Sequence, residues 1–175
     1  MLDFSFRRAP GLDAAAAMAR ACEIVGFAGT SNVDAARRYG LTPGGTMAHS
    51  YVESFASEQE AFRSFAEDRP DQITFQVDTY DTMTGVDAAI EVINRLGLGD
   101  AASIRLDSGD LEALARSSRR RLDDAGLGRV RIFVSGGLDE YAIEHLVSAG
   151  APIDAVGIGT RLSASAESPT LDSVY

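Results

Sequence analysis

The strongest constraint on the fold is a rhythm. Short apolar runs alternate with longer amphipathic ones along most of the 175-residue chain. "LDAAAAMARACEIV" (12–25) predicts a helix from its alanine content and spacing, and "VGFAG" (25–29) a buried strand. Ser31 is expected to N-cap the short helix "NVDAARRY", which Gly40 closes. "SEQEAFRSFAED" (57–68) predicts an amphipathic helix ended by "RPD", and "ITFQV" (73–77) a strand. Helix "VDAAIEVINRLG" and strand "ASIRL" (102–106) follow, then a helix over 110–125 that stops at Gly126. Strand "RIFVS" (131–135), helix "DEYAIEHLVSAG" (139–150) and strand "DAVGIG" (154–159) complete the series.

Strands separated by helices of roughly 10–15 residues mean βαβ units and a parallel sheet. Right-handed crossovers then put every strand's C-terminal end on one edge. A closed eight-stranded barrel takes roughly 200–250 residues. With about five or six strands, the expectation is an α/β fold of parallel βα repeats, an incomplete barrel or an open sheet, as one domain over 1–175.

Polar and glycine residues gather where the strands end. Thr30-Ser31-Asn32 follows "VGFAG", and "DTYDT" (78–82) follows "ITFQV". "SIRL" carries Arg105 and delivers "DSGD" (107–110); "RIFV" delivers "SGGLDE", and "AVGIG" delivers "TRL". Each has a plain structural reading: "DSGD" as a turn with an N-cap, "SGGLDE" as a connector capped by Asp139, "GIGTRL" as a glycine turn. Five strands in succession ending this way point beyond turn chemistry, because parallel α/β folds place their sites on this edge. Asp78, at the rim of a buried sheet, needs a partner, and His or Arg would serve. The glycine-rich ends of the last two strands suit a phosphate, which backbone N–H groups can approach closely; Arg161 adds charge.

Charge narrows the partners. The net charge of −10 argues against nucleic acid, whose phosphates call for a basic face. No apolar run approaches the ~20 residues of a membrane helix, and "MLDFSFRRAP" does not read as a signal peptide. The single cysteine, Cys22, fits a reducing compartment, so a cytoplasmic location is expected. Cys22 and His145 read as a core filler and a helix-end residue. All sixteen basic residues are arginine, which excludes Schiff-base chemistry on lysine.

The other histidine, His49, sits in "GGTMAHSY" (44–51). It is either an ordinary helix-end residue or a reactive imidazole at the mouth of a site. It is expected at a strand end, with Asp78 at the next.

Six blocks, in order and spacing, resemble the nicotinate phosphoribosyltransferases: "GTSNVDAARRYG", "GGTMAHSYV", "VDTYDT", "IRLDSGDL", "VSGGLDE" and "DAVGIGTRL". The resemblance runs from "DFSFRRA" to "SPTLDSVY". It implies the incomplete or irregular TIM-like barrel of the type II phosphoribosyltransferases. It also implies formation of nicotinate mononucleotide and pyrophosphate from nicotinate and phosphoribosyl pyrophosphate, in NAD salvage. Mg²⁺ would be the cofactor and ATP a co-substrate, hydrolysed through a phosphohistidine.

By that resemblance, His49 is the phosphorylated histidine and Asp78 holds its imidazole. Arg7 would reach the acid group of the pyridine ring or the ribose phosphate. Arg105 would lie near the ring, and Asp107 would accept from the ribose hydroxyls. Ser135, Gly136 and Gly137, with Gly157, Gly159 and Thr160, would cradle the 5′-phosphate, and Asp81 would meet Mg²⁺. Related nicotinamide enzymes carry aspartate at the position matching Ser31. A serine donates to a carboxylate where an aspartate would repel it, so Ser31 favours nicotinate.

Members of the family are more than twice this length, with an N-terminal aromatic segment and a C-terminal continuation unmatched in the chain. The expectation is therefore a fragment-like catalytic barrel portion, homodimeric when full length. Two rival readings stand beside it. One is a nicotinamide or quinolinate phosphoribosyltransferase, the latter disfavoured by the absence of lysine. The other is a non-catalytic, phosphate-binding remnant.

Overall fold

The computed structural model describes residues 1–164; the terminal block "SPTLDSVY" lies outside the described residues. The chain divides into two compact units. The first takes residues Met1–Gly45, Gly136–His145 and those from Val156; the second takes Thr46–Ser135 and Leu146–Ala155.

In the first unit, β1 (Leu2–Asp3) lies between two parallel neighbours, β2 (Gly29–Thr30) and β6 (Ala155–Ile158). Leu2 pairs with Gly29 on one side and Gly157 on the other. Helices α1 (Leu12–Ile24) and α2 (Val33–Tyr39) pack Ala16, Ala19 and Ala35 together, with Tyr39 and Leu41 against them. Gly40 closes α2 in the left-handed region, as expected.

In the second unit, β3 (Ile73–Gln76), β4 (Ala102–Leu106) and β5 (Arg131–Val134) run parallel, with β4 central. Their residues Ile73, Phe75, Ile104, Leu106, Ile132 and Val134 are buried, and Phe75 stacks on Phe62 at 4.9 Å between ring centroids. Around them lie α3 (His49–Glu53), α4 (Glu58–Asp68), α5 (Thr82–Leu96) and α6 (Leu111–Asp124). α7 (Glu140–Ser148) precedes β6, and α8 (Thr160–Ser163) follows it. Side chains of Ser57, Asp81 and Asp110 cap α4, α5 and α6 by accepting from the N–H three residues on.

Four local expectations change. Residues 25–28 are not strand: α1 runs to Ile24, Ile24 and Val25 are exposed, and only Gly29 and Thr30 pair. β1 was not anticipated, since two residues carry no readable period. Asn32, not Ser31, caps α2, its side chain accepting from the Ala35 N–H. His49 opens helix α3 rather than following a strand.

Candidate active site

The second unit brings five strand-end or loop segments to one cluster. β3 runs into Asp78 and Thr79, β4 carries Arg105 and runs into Asp107, and β5 runs into Ser135. The segment before α3 adds Thr46, and α3 itself begins with His49.

Arg105 is the hub. Its Nε donates to Ser135 Oγ at 2.7 Å, one terminal nitrogen to Thr46 Oγ1 at 2.7 Å, and the other to Asp107 Oδ1 at 2.6 Å. Ser135 Oγ donates in turn to Asp107 Oδ1 at 2.6 Å, closing a triangle. A planar guanidinium with fixed donors suits this; three partners in three directions define its orientation. Asp107 thereby spends Oδ1 on two donors and presents Oδ2 to His49 Nε2 at 3.6 Å, an ion-pair distance just beyond hydrogen-bond reach. The other imidazole nitrogen, Nδ1, lies 3.2 Å from Thr79 Oγ1.

The electrostatics follow. Asp107 beside it raises the His49 pKa against the opposing effect of burial, with Asp78 contributing from further off. For Asp107, burial works to raise the carboxyl, but its contacts with His49, Arg105 and Ser135 prevail and hold it well below the usual carboxylate range. The cluster therefore keeps a carboxylate ionised beside an imidazole inclined to hold its proton.

Asp78 is buried beneath this cluster, and its bonds go elsewhere than expected. Oδ2 accepts from the Asp107 N–H at 2.8 Å and the Ser108 hydroxyl at 2.9 Å, and Oδ1 from the Gln76 side-chain amide. Asp107 and Thr79, rather than Asp78, touch the imidazole. The physical reason is the parallel register: Gln76 pairs with Arg105, so Asp78 meets the backbone N–H just past the end of β4, and the Gln76 amide and Ser108 hydroxyl take up the rest of its carboxylate. Asp78 reaches His49 only by its charge, and it anchors the backbone of Asp107.

Thr46, Gln76, Thr79 and Ser108 were not singled out from the sequence. Gln76 carried a signal, an amide directly before the strand-end Val77-Asp78, and it is fully buried. Asp81 caps α5 with Oδ1, accepting from the Thr84 N–H and hydroxyl. Among the described residues no group of three His, Cys, Asp or Glu side chains converges to hold a metal. A hydrated Mg²⁺ shared with substrate phosphates needs only one or two carboxylates, and Asp81 is exposed at the N-cap of α5.

The first unit holds the remaining sequence candidates. Arg7 is exposed in a 3₁₀ turn, Phe6–Arg8. Ser31 follows β2, and its hydroxyl is left unspent by the cap that Asn32 supplies. Gly136 and Gly137 both take positive φ, 94° and 65°, which an L side chain rarely adopts. Gly157 is buried in β6, and Gly159 leads into Thr160, the first residue of α8. A Cβ on Gly159 would stand 3.0 Å from the Phe4 carbonyl oxygen.

Parallel βα units with a charged, hydrogen-bonded cluster past the strand ends define an α/β protein of the kind that works on its C-terminal strand edge. The model of the nicotinate phosphoribosyltransferase (NAPRTase) family matches residues 1–173, and the chain belongs to that family. It is 51% identical over 176 aligned positions to the nicotinate phosphoribosyltransferase pncB2 of Mycobacterium tuberculosis, covering 100% of this chain and 38% of that protein. It is 43% identical to the nicotinate phosphoribosyltransferase of Bacillus subtilis, covering 99% of this chain and 36% of that one. The chain thus spans little more than a third of the length of these relatives.

Among solved structures, the nicotinate-nucleotide pyrophosphorylase of Pyrococcus furiosus superposes with a TM-score of 0.82 at 28% identity, over 94% of this chain and 42% of that one. Human nicotinic acid phosphoribosyltransferase does so with a TM-score of 0.71 at 26% identity, over 91% and 43%. The fold class is that expected from the sequence, the parallel βα repeat of the type II phosphoribosyltransferases. Among the described residues no helix is long and apolar enough to cross a membrane.

Proposed function

We propose that the chain is the catalytic barrel portion of a nicotinate phosphoribosyltransferase. It serves NAD salvage by joining nicotinate to the ribose of phosphoribosyl pyrophosphate, releasing pyrophosphate. The pyridine nitrogen displaces pyrophosphate at the ribose anomeric carbon, and the protein's part is positioning and electrostatics. The observation that carries this reading is the constrained imidazole: His49 lies between Asp107 and Thr79, and Asp107 is itself held by Arg105 and Ser135.

The same constraint suits a phosphohistidine step coupled to ATP. A carboxylate facing Nε2 favours the tautomer with the proton there, which leaves the lone pair on Nδ1. Nδ1 attacks the γ-phosphorus of ATP, a bond forms to nitrogen, and ADP departs with the electrons of the broken P–O bond. The Nε2 proton stays against Asp107 throughout. In that tautomer the Thr79 hydroxyl donates to Nδ1, and it gives up this contact to the incoming phosphoryl group.

Ser135, its hydroxyl shared with Arg105 and Asp107, and Gly136, Gly137, Gly157, Gly159 and Thr160 retain their proposed part in binding the 5′-phosphate. Ser31 retains its part in recognising the nicotinate carboxylate, and Arg7 its part in reaching that carboxylate or the ribose phosphate. Mg²⁺ would arrive on the diphosphate, neutralising its charge, with Asp81 the carboxylate proposed to meet it. A cytoplasmic homodimer is the form proposed for the active enzyme.

The test is transfer of label from γ-labelled ATP. The wild type incorporates acid-labile phosphate and His49→Ala incorporates none; labelling that persists in the variant rejects the assignment. A panel of nicotinate, nicotinamide and quinolinate reads the substrate directly.

A further inference from the structure

One buried acid takes no part in the chemistry proposed above. Asp3, the last residue of β1, is fully buried. Burying a carboxylate is costly unless strong donors repay it. Oδ1 accepts from the Ser5 N–H at 2.8 Å, and Oδ2 from the Thr30 hydroxyl at 2.6 Å. The Asp3 carbonyl accepts the Ser31 N–H at 2.8 Å. Thr30 Oγ1, having donated to Asp3, accepts from the Asn32 N–H at 3.0 Å, and Asn32 caps α2.

Two loops of the first unit are therefore tied to one carboxylate. Residues 4–8 carry Arg7, and their 3₁₀ turn is closed by the Arg8 N–H on the Ser5 carbonyl at 3.0 Å. Residues 30–32 carry Ser31 between two residues that the Asp3–Thr30 pair pins. A buried side chain with both oxygens engaged cannot turn without losing a bond, which gives this tie its precision. An apolar residue in place of Asp3 would spare the desolvation cost but leave both loops without a common anchor.

We infer that Asp3, acting through Thr30, is a positioning residue that sets Ser31 against Arg7 and so fixes the preference for a ring carboxylate over a carboxamide. The inference rests on the reading of Ser31 and Arg7 as the groups that recognise nicotinate.

The test is steady-state kinetics of the active enzyme with nicotinate and nicotinamide, on Thr30→Val, Thr30→Ser, Asp3→Asn and Ser31→Ala. Thr30→Val should raise KM for nicotinate about tenfold, the factor for one misplaced hydrogen bond, while kcat and the KM for phosphoribosyl pyrophosphate stay within about threefold. The nicotinate-to-nicotinamide ratio of kcat/KM should fall in parallel, and Thr30→Ser should restore it. If Ser31→Ala lowers that ratio but folded Thr30→Val does not, the inference about Asp3 is overturned and the Ser31 reading survives. If Ser31→Ala leaves the ratio unchanged, the Ser31 reading fails and the inference falls with it. A wild type that turns over no nicotinate removes both. Failure of both Thr30→Val and Asp3→Asn to fold makes the network purely structural and also overturns it.

Discussion

Gly85 offers a test in which two ordinary arguments predict opposite signs. It sits in the first turn of α5, facing β3. A Cβ there would stand 2.0 Å from the Val77 carbonyl oxygen, 2.8 Å from its carbonyl carbon and 3.0 Å from its Cα. All three atoms are backbone, so no side chain can swing aside. Ordinary contact begins at 3.4 Å, and α5 must retreat by more than an ångström to reach it. Val86, Ala89 and Ile93 on the same helix are 0% exposed and would lose contact together. A radial gap of about 0.5–1 Å forfeits a quarter to a half of each contact, and a large buried side chain makes roughly 40–60 of them. After relaxation, overpacking of this kind costs typically ~1–3 kcal/mol, and a rigid backbone obstacle puts Gly85→Ala at or above the upper end.

Helix propensity pulls the other way, favouring Ala over Gly by ~1 kcal/mol. The net expectation is a loss of about 2 kcal/mol, or ~4–8 °C in Tm for a chain of this size. Thermal melts of wild type and Gly85→Ala, followed by circular dichroism, read it directly. A variant that melts at or above the wild-type temperature would refute the reasoning, since propensity alone would then decide and α5 could not lie against Val77. The displacement should also reach the site, because Val77 immediately precedes Asp78.

Further expectations concern the cluster and its margins. Arg105→Lys keeps the charge but not the three-way fork, and kcat/KM should fall about 10–100-fold for each charge-assisted bond lost; a fall of less than threefold would count against the hub. In Asp107→Asn, the His49 ring should titrate at lower pH by NMR, because the neighbouring charge that raises it is gone. In the wild type, the stability due to His49 is fully present below pH 6.5 and is lost as pH rises through its raised value; that due to Asp107 is present above 3.8 and is lost as pH falls through its depressed value. Asp81→Ala should lower the urea-unfolding midpoint as a lost N-cap, with Asp81→Asn largely restoring it; a metal role predicts in addition a raised KM for Mg²⁺ in both variants.

How far the sequence reached depends on the scale of the interaction. Strands 102–106 and 131–134 and helices 58–68 and 111–124 carry their period and caps locally, and they stand within a residue of expectation. β1 and β2 are two residues each, and the partners that make them strands are 27 or more residues away, so no local pattern marks them. Ser31 and Asn32 are both good caps by composition. The choice between them fell to Thr30, whose hydroxyl takes the Asn32 N–H and whose own position is fixed by Asp3.

By itself, the sequence determined the α/β class, the polar strand ends and a histidine worth following, because period, turn chemistry and residue type are local properties. Only the tertiary structure decided which carboxylate faces that histidine. Asp78 and Asp107 are equally plausible partners for His49 as letters in a chain. The parallel register of β3 and β4 puts Asp78 under a backbone N–H and leaves Asp107, braced by Arg105 and Ser135, facing the ring.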